Sequence, residues 1–422
     1  MKLRYLLCAL ILVLPAYAYS ADLFVAVPES AAMANASQKS LLNSIKLRQT
    51  TKSVNVVRIN RNLFAQNAFE LNLRPDFKVR ADVKSVEKRT ENDFTVFGKL
   101  ANLPGDAVLV VRGNDVTGTI NTGTQVYRIK PLGSGLHALI LVDRSKLPQE
   151  HPPAFKEREM RKINTNKLEL YKRLRPHVVA KPVISLIVAY TPAAKSAYGD
   201  NSANGDGIKA MIQLAVSETN QGYLNSGINA SVRLAHTYQV NYNETSRSYD
   251  TILAHFSGKS DGFMDDIHGL RNSKAADVAV LIINQSAYCG LADDIMATVD
   301  SAFALVHYDC ATGYYSFGHE IGHLLGARHN HETDNSVEPF AHGHGCRNGN
   351  EWRTIMAYNC PVADGCPRLN YWSNPNVRYN NVPMGTAATH DNARVLNSTA
   401  GTIAAFKSLL LRPAVFRQIP VK

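Results

Sequence analysis

The segment YYSFGHEIGHLLGARHNH, residues 314–331, contains four histidines and three glycines in eighteen positions. Its first part is predicted to form an amphipathic helix, on which His319 and His323 lie four positions apart and therefore on one face. Gly326 is predicted to end this helix because glycine accepts a positive φ, and the chain can then turn so that His329 approaches the same point. Three neutral imidazoles with one open coordination position form the ligand set of a catalytic zinc ion.

Glu320 directly follows the first of these histidines and is predicted to lie beside the metal without binding it. A carboxylate in that position can take a proton from a water molecule as the water attacks a carbonyl, which makes Glu320 the candidate general base. The alternative is a surface helix with incidental histidines, and the combined spacing of histidines, glutamate and glycine disfavours it. His331, His342 and His344 lack this spacing and are expected to be solvated loop residues.

The sequence HEIGHLLGARH, residues 319–329, resembles the signature of the metzincin zinc endopeptidases. The resemblance implies a methionine-bearing turn under the zinc, for which the segment TIMAYN supplies Met356. It also implies a role for Tyr358, since astacin-like and serralysin-like metzincins carry a tyrosine two residues after that methionine. A packed structural phenol is the alternative. The chain is identified with the reprolysin-like branch, although Asn330 stands where that branch usually has aspartate.

Three segments, FGHEIGHLLGARHNH, RTIMAYNC and CPRLNYWSNP, together look most like the bacterial peptidyl-Asp metalloendopeptidases, which cleave on the amino side of aspartate. This resemblance implies a cation in the pocket for the residue after the scissile bond. Arg368, the first basic residue after the methionine turn, is the candidate because a guanidinium pairs with a carboxylate in bidentate geometry. A surface arginine bracing the loop near Cys366 is the alternative, and Arg353 is the reserve candidate.

The N-terminal sequence predicts a secreted protein. Residues 1–18 have a basic start, an apolar run and the small residues AYA, which together are typical of a signal peptide. No other segment approaches twenty uninterrupted apolar residues, so no membrane span is expected. Residues 19–182 are predicted to be a propeptide, with a β-meander between residues 94 and 142. Its last part, residues 156–182, holds nine Lys or Arg against three Glu and is expected to be a linker that proteases cut.

Residues 183–411 are predicted to form the metzincin catalytic domain, and residues 412–422 a C-terminal tail. The expected fold class is α/β (α+β), with a twisted mixed sheet and a zinc-binding helix, preceded by the β-rich prodomain. The apolar run VISLIVAY predicts a buried strand, and the segment from Gly207 predicts a long helix. SAFALVHYD, residues 301–309, is expected to be the edge strand, beside which an extended substrate binds as one more strand.

The net charge of +11 divides into +14 for residues 1–182 and −3 for residues 183–422. The basic excess therefore lies outside the predicted catalytic domain, and no nucleic-acid-binding motif accompanies it, so nucleic acid is not an expected partner. The propeptide is an expected inhibitor. It contains no cysteine after the signal peptide, so a carboxylate or an imidazole must block the zinc. Asp106, Asp143 and His151 are the candidates, with ordinary turn or surface roles as the alternative.

Five cysteines follow the predicted signal peptide, namely Cys289, Cys310, Cys346, Cys360 and Cys366. An odd number allows at most two disulfides. The preferred pair is the first two cysteines, and the second bridge is expected within the last three, leaving one thiol. A four-cysteine zinc site is disfavoured because the sequence has no Cys-x-x-Cys spacing.

Together these features predict a secreted, monomeric endopeptidase that hydrolyses protein or peptide substrates with one catalytic zinc ion. The alternative is a zinc-binding adhesion or interaction module without proteolysis. Such modules typically lack the glutamate of the zinc motif, and Glu320 is present.

Overall fold

The computed structural model describes residues 21–33, 35–151, 181–202, 204–363 and 365–407. The predicted signal peptide, nearly all of the basic stretch 156–182 and the predicted tail lie outside the described residues. The described chain forms two parts, each built on its own sheet: an N-terminal part that ends at His151 and a C-terminal part that begins at Lys181.

The N-terminal part contains a nine-stranded antiparallel sheet in the order β1-β2-β9-β8-β7-β6-β5-β4-β3. Its strands are β1 (Phe24–Ala26), β2 (Thr51–Ile59), β3 (Ala68–Arg74), β4 (Phe77–Thr90), β5 (Asp93–Leu100), β6 (Asp106–Arg112), β7 (Asp115–Asn121), β8 (Val126–Gly133) and β9 (Leu136–Val142). Two helices, Ser30–Met33 and Ala36–Lys46, and two short 3-10 turns, Arg61–Ala65 and Arg144–Lys146, complete it. The meander predicted between residues 94 and 142 corresponds to β5 through β9.

Alternation of side chains gives this sheet two buried faces. Leu71, Leu109 and Ile129 belong to the core on one face, while Leu42 and Ile45 of the helix Ala36–Lys46 cover part of the other. Antiparallel hairpins with one or both faces covered need this alternation along every strand.

The C-terminal part contains a five-stranded mixed sheet in the order β11-β10-β12-β14-β13. Its strands are β10 (Val183–Tyr190), β11 (Ser231–Gln239), β12 (Val278–Ile283), β13 (Gly290–Ala292) and β14 (Phe303–His307). Two small hairpins follow, β15 (Arg347–Asn348) with β16 (Trp352–Arg353) and β17 (Asn374–Tyr379) with β18 (Val382–Met384). The helices are Pro192–Tyr198, Asp206–Asn225, Tyr249–Ser257, Asp266–Ser273, Ser316–Leu324 and Asn392–Ile403.

Helices cover both faces of this sheet, which confirms the predicted mixed α/β class. The helices Asp206–Asn225, Ser316–Leu324 and Asn392–Ile403 pack on one face, and Tyr249–Ser257 and Asp266–Ser273 pack on the other. All six residues of β12 are buried, as expected for a strand covered on both sides.

The predicted position of the edge strand was wrong. β14, from the segment 301–309, lies between β12 and β13, and all five of its residues are buried. The chain after β12 folds back, so that Gly290–Ala292 pairs antiparallel with β14 and takes the edge. The sheet therefore presents β13 at the edge nearest the histidine helix.

Buried polar side chains of the N-terminal part contact the C-terminal part. Arg128 Nη1 lies 2.5 Å from Asp309 Oδ1, and Thr50 Oγ1 donates to the other oxygen of the same carboxylate at 2.6 Å. Asn121 Nδ2 donates to the Tyr315 hydroxyl at 2.7 Å, next to the start of the histidine helix. The N-terminal sheet is thus fixed against the segment that leads into the predicted metal site.

No helix among the described residues combines the length and apolar character needed to cross a membrane. Two disulfides join described cysteines. The preferred pair Cys289–Cys310 is confirmed, the second bridge is Cys360–Cys366, and Cys346 is the remaining thiol.

Candidate active site

The helix Ser316–Leu324 carries the first two histidines of the motif, and Gly326 follows it with φ of +100°. This left-handed glycine turns the chain, as predicted, so that His329 reaches the same point as His319 and His323. The three Nε2 atoms lie 3.1, 3.1 and 3.2 Å apart, and all three side chains are buried.

Backbone carbonyls contact Nδ1 of two of these rings, and at His323 the carbonyl fixes which nitrogen carries the proton. His319 Nδ1 lies 2.9 Å from Ile355 O, and His323 Nδ1 lies 2.9 Å from Ala327 O. A carbonyl oxygen only accepts, so His323 Nδ1 donates and its Nε2 presents a lone pair, whereas His319 Nδ1 also faces the Arg368 Nη2 donor at 2.5 Å. Lone pairs that face each other at this distance repel unless a cation lies between them.

The histidine cluster fits zinc. Two nitrogens bound to one tetrahedral zinc ion are about 3.3 Å apart, which follows from zinc–nitrogen distances of about 2.0–2.1 Å. Burial lowers the pKa of His323 to about 3, and burial together with the neighbouring cations lowers the pKa of His319 and His329 well below the usual range. Neutral imidazoles are the form that binds metal.

Glu320 lies beside the cluster and against the edge strand. Its two carboxylate oxygens are buried and make no hydrogen bond with any described residue. Burial, and then the nearby Glu150 carboxylate, raise the pKa of Glu320 well above its usual value. A Cβ at Gly290 would lie 2.7 Å from Glu320 Cγ and Cδ, so only glycine lets the edge strand approach this closely. The position suits a proton carrier between the edge strand and the helix.

The methionine turn lies under the histidines. Met356 is fully buried in the same apolar core as Ile321 and Trp372. The carbonyl of the preceding residue, Ile355, is the partner of His319 Nδ1. The turn therefore orients one imidazole through its backbone, while the methionine side chain supplies packing.

Asn330 joins the third histidine to this turn. It is buried, and its Oδ1 accepts from the Tyr358 backbone N–H at 2.9 Å. The Tyr358 ring lies 4.3 Å from the His329 ring, centroid to centroid, and its hydroxyl donates to the carbonyl of His151. Tyr358 is thus at the edge of the histidine cluster.

Arg368 is buried, with 1% of its side chain exposed, so the interpretation as a surface arginine was wrong. Its Nη1 lies 2.7 Å from Glu150 Oε1, and its Nε donates to Ile355 O at 2.8 Å. The reserve candidate Arg353 is also buried but donates to Ala357 O at 2.6 Å and to the Tyr314 hydroxyl at 2.7 Å. Of the two arginines, Arg368 is the one that holds a carboxylate beside the histidines.

His151 is the candidate blocking residue that the structure brings to the cluster. Ligand atoms of His151, His319, His323 and His329 all lie within 4.8 Å of one another. The two other candidates lie elsewhere. Asp143 Oδ1 accepts from Ser145 N, and Asp106 Oδ2 lies 3.4 Å from Asn225 Nδ2.

The prediction that His344 lies in a solvated loop was wrong. His344 is fully buried, and its Nδ1 lies 2.8 Å from the carbonyl of His329, so it supports the loop that carries the third ligand candidate. His331 and His342 are partly exposed, and no metal cluster of described residues includes them.

Sequence reasoning missed two residues of the site. Glu150 was not singled out, although it directly precedes His151 and is an acid near the end of a basic region. Gly290 was not singled out because its strand has three residues, GLA, too few to show a pattern. Both belong to the site through contacts between distant parts of the chain.

Comparisons with known proteins agree with this geometry. Residues 180–373 match the model of Metallo-peptidase family M12. A peptidyl-Asp metalloendopeptidase of Stenotrophomonas maltophilia (strain K279a) is 42% identical over 411 residues, 93% of this chain and 95% of that relative. Another, of Xanthomonas campestris pv. campestris, is 48% identical over 301 residues, 71% of this chain and 70% of that relative. One of Pseudomonas fragi is 45% identical over 192 residues, 45% of this chain and 100% of that relative.

The identity and coverage of these relatives, together with the reprolysin-type family match, identify the chain. It belongs to the peptidyl-Asp metalloendopeptidase family of the metzincins and is a zinc metalloendopeptidase.

Proposed function

We propose that the chain hydrolyses peptide bonds with one zinc ion held by His319, His323 and His329. The observation that carries this proposal is the convergence of three buried Nε2 atoms at 3.1–3.2 Å from one another. Bound zinc would lower the pKa of a water molecule to about 7 and polarise the substrate carbonyl.

The residues around the histidines carry the proton transfers in this proposal. Glu320 takes the proton of the attacking water and passes it to the leaving amine, since its carboxylate is buried and has no hydrogen-bond partner among the described residues. The Tyr358 hydroxyl, which here donates to a backbone carbonyl, is positioned to donate to the oxygen on which charge develops. Met356 packs beneath the ligands.

We also propose that the enzyme cuts on the amino side of aspartate and that Arg368 selects this residue. The relatives carry the name peptidyl-Asp metalloendopeptidase. Arg368 supports the assignment because its buried guanidinium already holds a carboxylate at 2.7 Å. A buried guanidinium that loses its carboxylate favours an acidic replacement, since an unpaired buried charge is costly.

The domain organisation belongs to the same proposal: signal peptide 1–18, inhibitory propeptide 19–182, catalytic domain 183–411 and tail 412–422 in a secreted monomer. Separate apolar cores in the two described parts support this division. The family match that begins at residue 180 supports the catalytic boundary. Two disulfides are consistent with an oxidising compartment.

Glu320→Gln tests the proposed mechanism. The variant keeps the shape of the side chain but cannot take a proton, so we expect zinc content to stay at one ion per chain while peptide hydrolysis falls by about 100-fold or more. Glu351→Gln, on an exposed side chain in the turn between β15 and β16, is the matched control and should change neither quantity. Full hydrolysis by Glu320→Gln would refute the assigned base.

A further inference from the structure

The last described segment of the N-terminal part reaches the histidine cluster. Leu147 packs against the Cys289–Cys310 disulfide and Tyr314, and the Cys289 backbone N–H donates to Gln149 O at 2.8 Å. Cys289 immediately precedes the edge strand β13. This main-chain hydrogen bond places Gln149 beside the strand at which an extended substrate would add.

Glu150 comes next and is buried. Its side chain is 3% exposed, and Oε1 lies 2.7 Å from Arg368 Nη1. The same carboxylate belongs to a group with His319 and Glu320 whose ligand atoms lie within 4.8 Å of one another. Bringing a second acidic group next to the buried Glu320 is unfavourable unless the guanidinium neutralises it.

His151 follows and lies over the metal-binding histidines. Its ring centroid is 5.0 Å from that of His329 and 5.6 Å from that of His323. The hydroxyl of Tyr358 donates to its carbonyl. A ligand atom of the His151 side chain lies within 4.8 Å of those of His319, His323 and His329, so it could supply the fourth ligand of a tetrahedral ion.

We infer that Glu150 and His151 block the proposed active site together, with the His151 imidazole as fourth zinc ligand and the Glu150 carboxylate in the place of the substrate's acidic side chain. This inference rests on the proposed zinc site and Arg368 pocket. Glu150 and His151 together then engage three parts of the site, namely the open metal position, the Arg368 guanidinium and the Tyr358 hydroxyl.

This arrangement explains inhibition without a cysteine. A site with four histidines leaves no coordination position for water, so Glu320 has no water from which to take a proton. The Glu150 carboxylate also competes with the acidic side chain of a substrate for Arg368. Removal of the N-terminal part releases both positions together, and a substrate aspartate then replaces Glu150 at Arg368.

The first experiment reads the metal coordination directly. Co²⁺ replaces zinc in the full chain carrying Glu320→Gln, which prevents self-cleavage. A three-histidine site holds a water that titrates near neutral pH, whereas a four-histidine site does not. We expect a visible spectrum that is constant between about pH 6 and pH 9. His151→Ala should add a pH-dependent transition and speed the release of zinc to a chelator about tenfold or more.

Gln149→Ala is the matched control, since its side chain is exposed and its backbone contact to Cys289 remains. It should behave as the parent chain. If His151→Ala leaves the spectrum and the zinc release unchanged, His151 is not a ligand. If the parent chain binds neither metal at one ion per chain, the proposed zinc site itself is wrong.

The second experiment tests Glu150 by binding, not by activity. All chains again carry Glu320→Gln. A fluorescent peptide containing aspartate should bind about tenfold more tightly to the chain with both Glu150→Ala and His151→Ala than to the chain without these two changes. The same peptide with asparagine should gain little. Glu150→Gln, which keeps the side-chain shape, is a second variant that should weaken the internal competitor. An equal gain for both peptides, or none, would show that Glu150 does not fill the acidic pocket.

Discussion

Arg368 and Glu150, 218 positions apart in the chain, form a buried ion pair with 2.7 Å between Nη1 and Oε1. The same guanidinium contacts His319 and the carbonyl of Ile355, which is also the partner of His319 Nδ1. Arg368 and His319 therefore share one backbone carbonyl. A carboxylate bound at Arg368 is within the same small polar cluster as the first zinc-ligand candidate.

Arg368→Ala is expected to remove the preference for aspartate. Loss of a buried charge pair typically costs about 2–5 kcal/mol, so kcat/KM for aspartate peptides should fall by about 100-fold. Peptides with a neutral residue after the scissile bond should change little. Arg378→Ala, at an exposed position of the hairpin β17–β18, is the control. Equal losses for both peptide classes would show that Arg368 acts through Ile355 and His319 and does not select the substrate.

Gly290→Ala is expected to displace Glu320. The new Cβ would lie 2.7 Å from Glu320 Cγ and Cδ, so the carboxylate must move while the histidines stay in place. Misplacing a catalytic group by about 1 Å lowers the rate by about 100-fold. We expect that loss in kcat at unchanged zinc content.

The matched control for this prediction is Gly269→Ala. Gly269 lies in the helix Asp266–Ser273, and a Cβ there would meet no atom within 4 Å. The activity of the Gly269→Ala variant should equal that of the parent. If Gly290→Ala retains full kcat, the close approach of strand and glutamate is not needed for catalysis.

Local patterns predicted the clustering of the three histidines and most of the C-terminal sheet. The spacing of His319 and His323 follows from helix geometry, and the positive φ of Gly326 follows from the need to turn the chain. Continuous apolar runs such as β10 and β12 mark strands covered on both faces. Each of these signals is contained within a few neighbouring residues.

The parts of the site that were missed depend on contacts between distant segments. Neither Glu150 nor Arg368 shows its partner in the local sequence, and only the packing of the two parts brings them together. The edge strand was misplaced because β13 has only three residues and pairs by folding back on β14. A sheet order of this kind is decided by tertiary pairing, which a periodic pattern does not encode.

Acid is expected to destabilise the N-terminal sheet through His137. Burial lowers the pKa of His137 to about 4, and its Nε2 accepts from Val116 N at 3.0 Å. The unfolded chain, with a pKa of about 6.5, binds the proton more readily than the folded chain. Neutral His137 therefore contributes about 3 kcal/mol to the free energy of unfolding above pH ~6.5, and this contribution is lost as the pH falls to ~4.

This prediction is checked by urea unfolding of the full chain at a series of pH values. His137→Gln, whose amide oxygen can accept the Val116 N–H without titrating, should show a weaker decrease of unfolding free energy between about pH 6.5 and pH 4. A decrease as steep as in the parent would mean that other groups cause the acid sensitivity.

Loss of the Cys289–Cys310 disulfide is expected to destabilise the C-terminal part next to the edge strand β13. The bond spans 21 positions, and closing a loop of this length stabilises a fold by about 3 kcal/mol. Its sulfurs pack between Leu147 and Tyr314, and Cys289 N holds Gln149. The variant with both cysteines changed to alanine should unfold at lower urea concentration in the absence of reductant. Cys346→Ala, at the thiol outside both disulfides, should shift the midpoint far less, and equal shifts would contradict the assigned role of the bond.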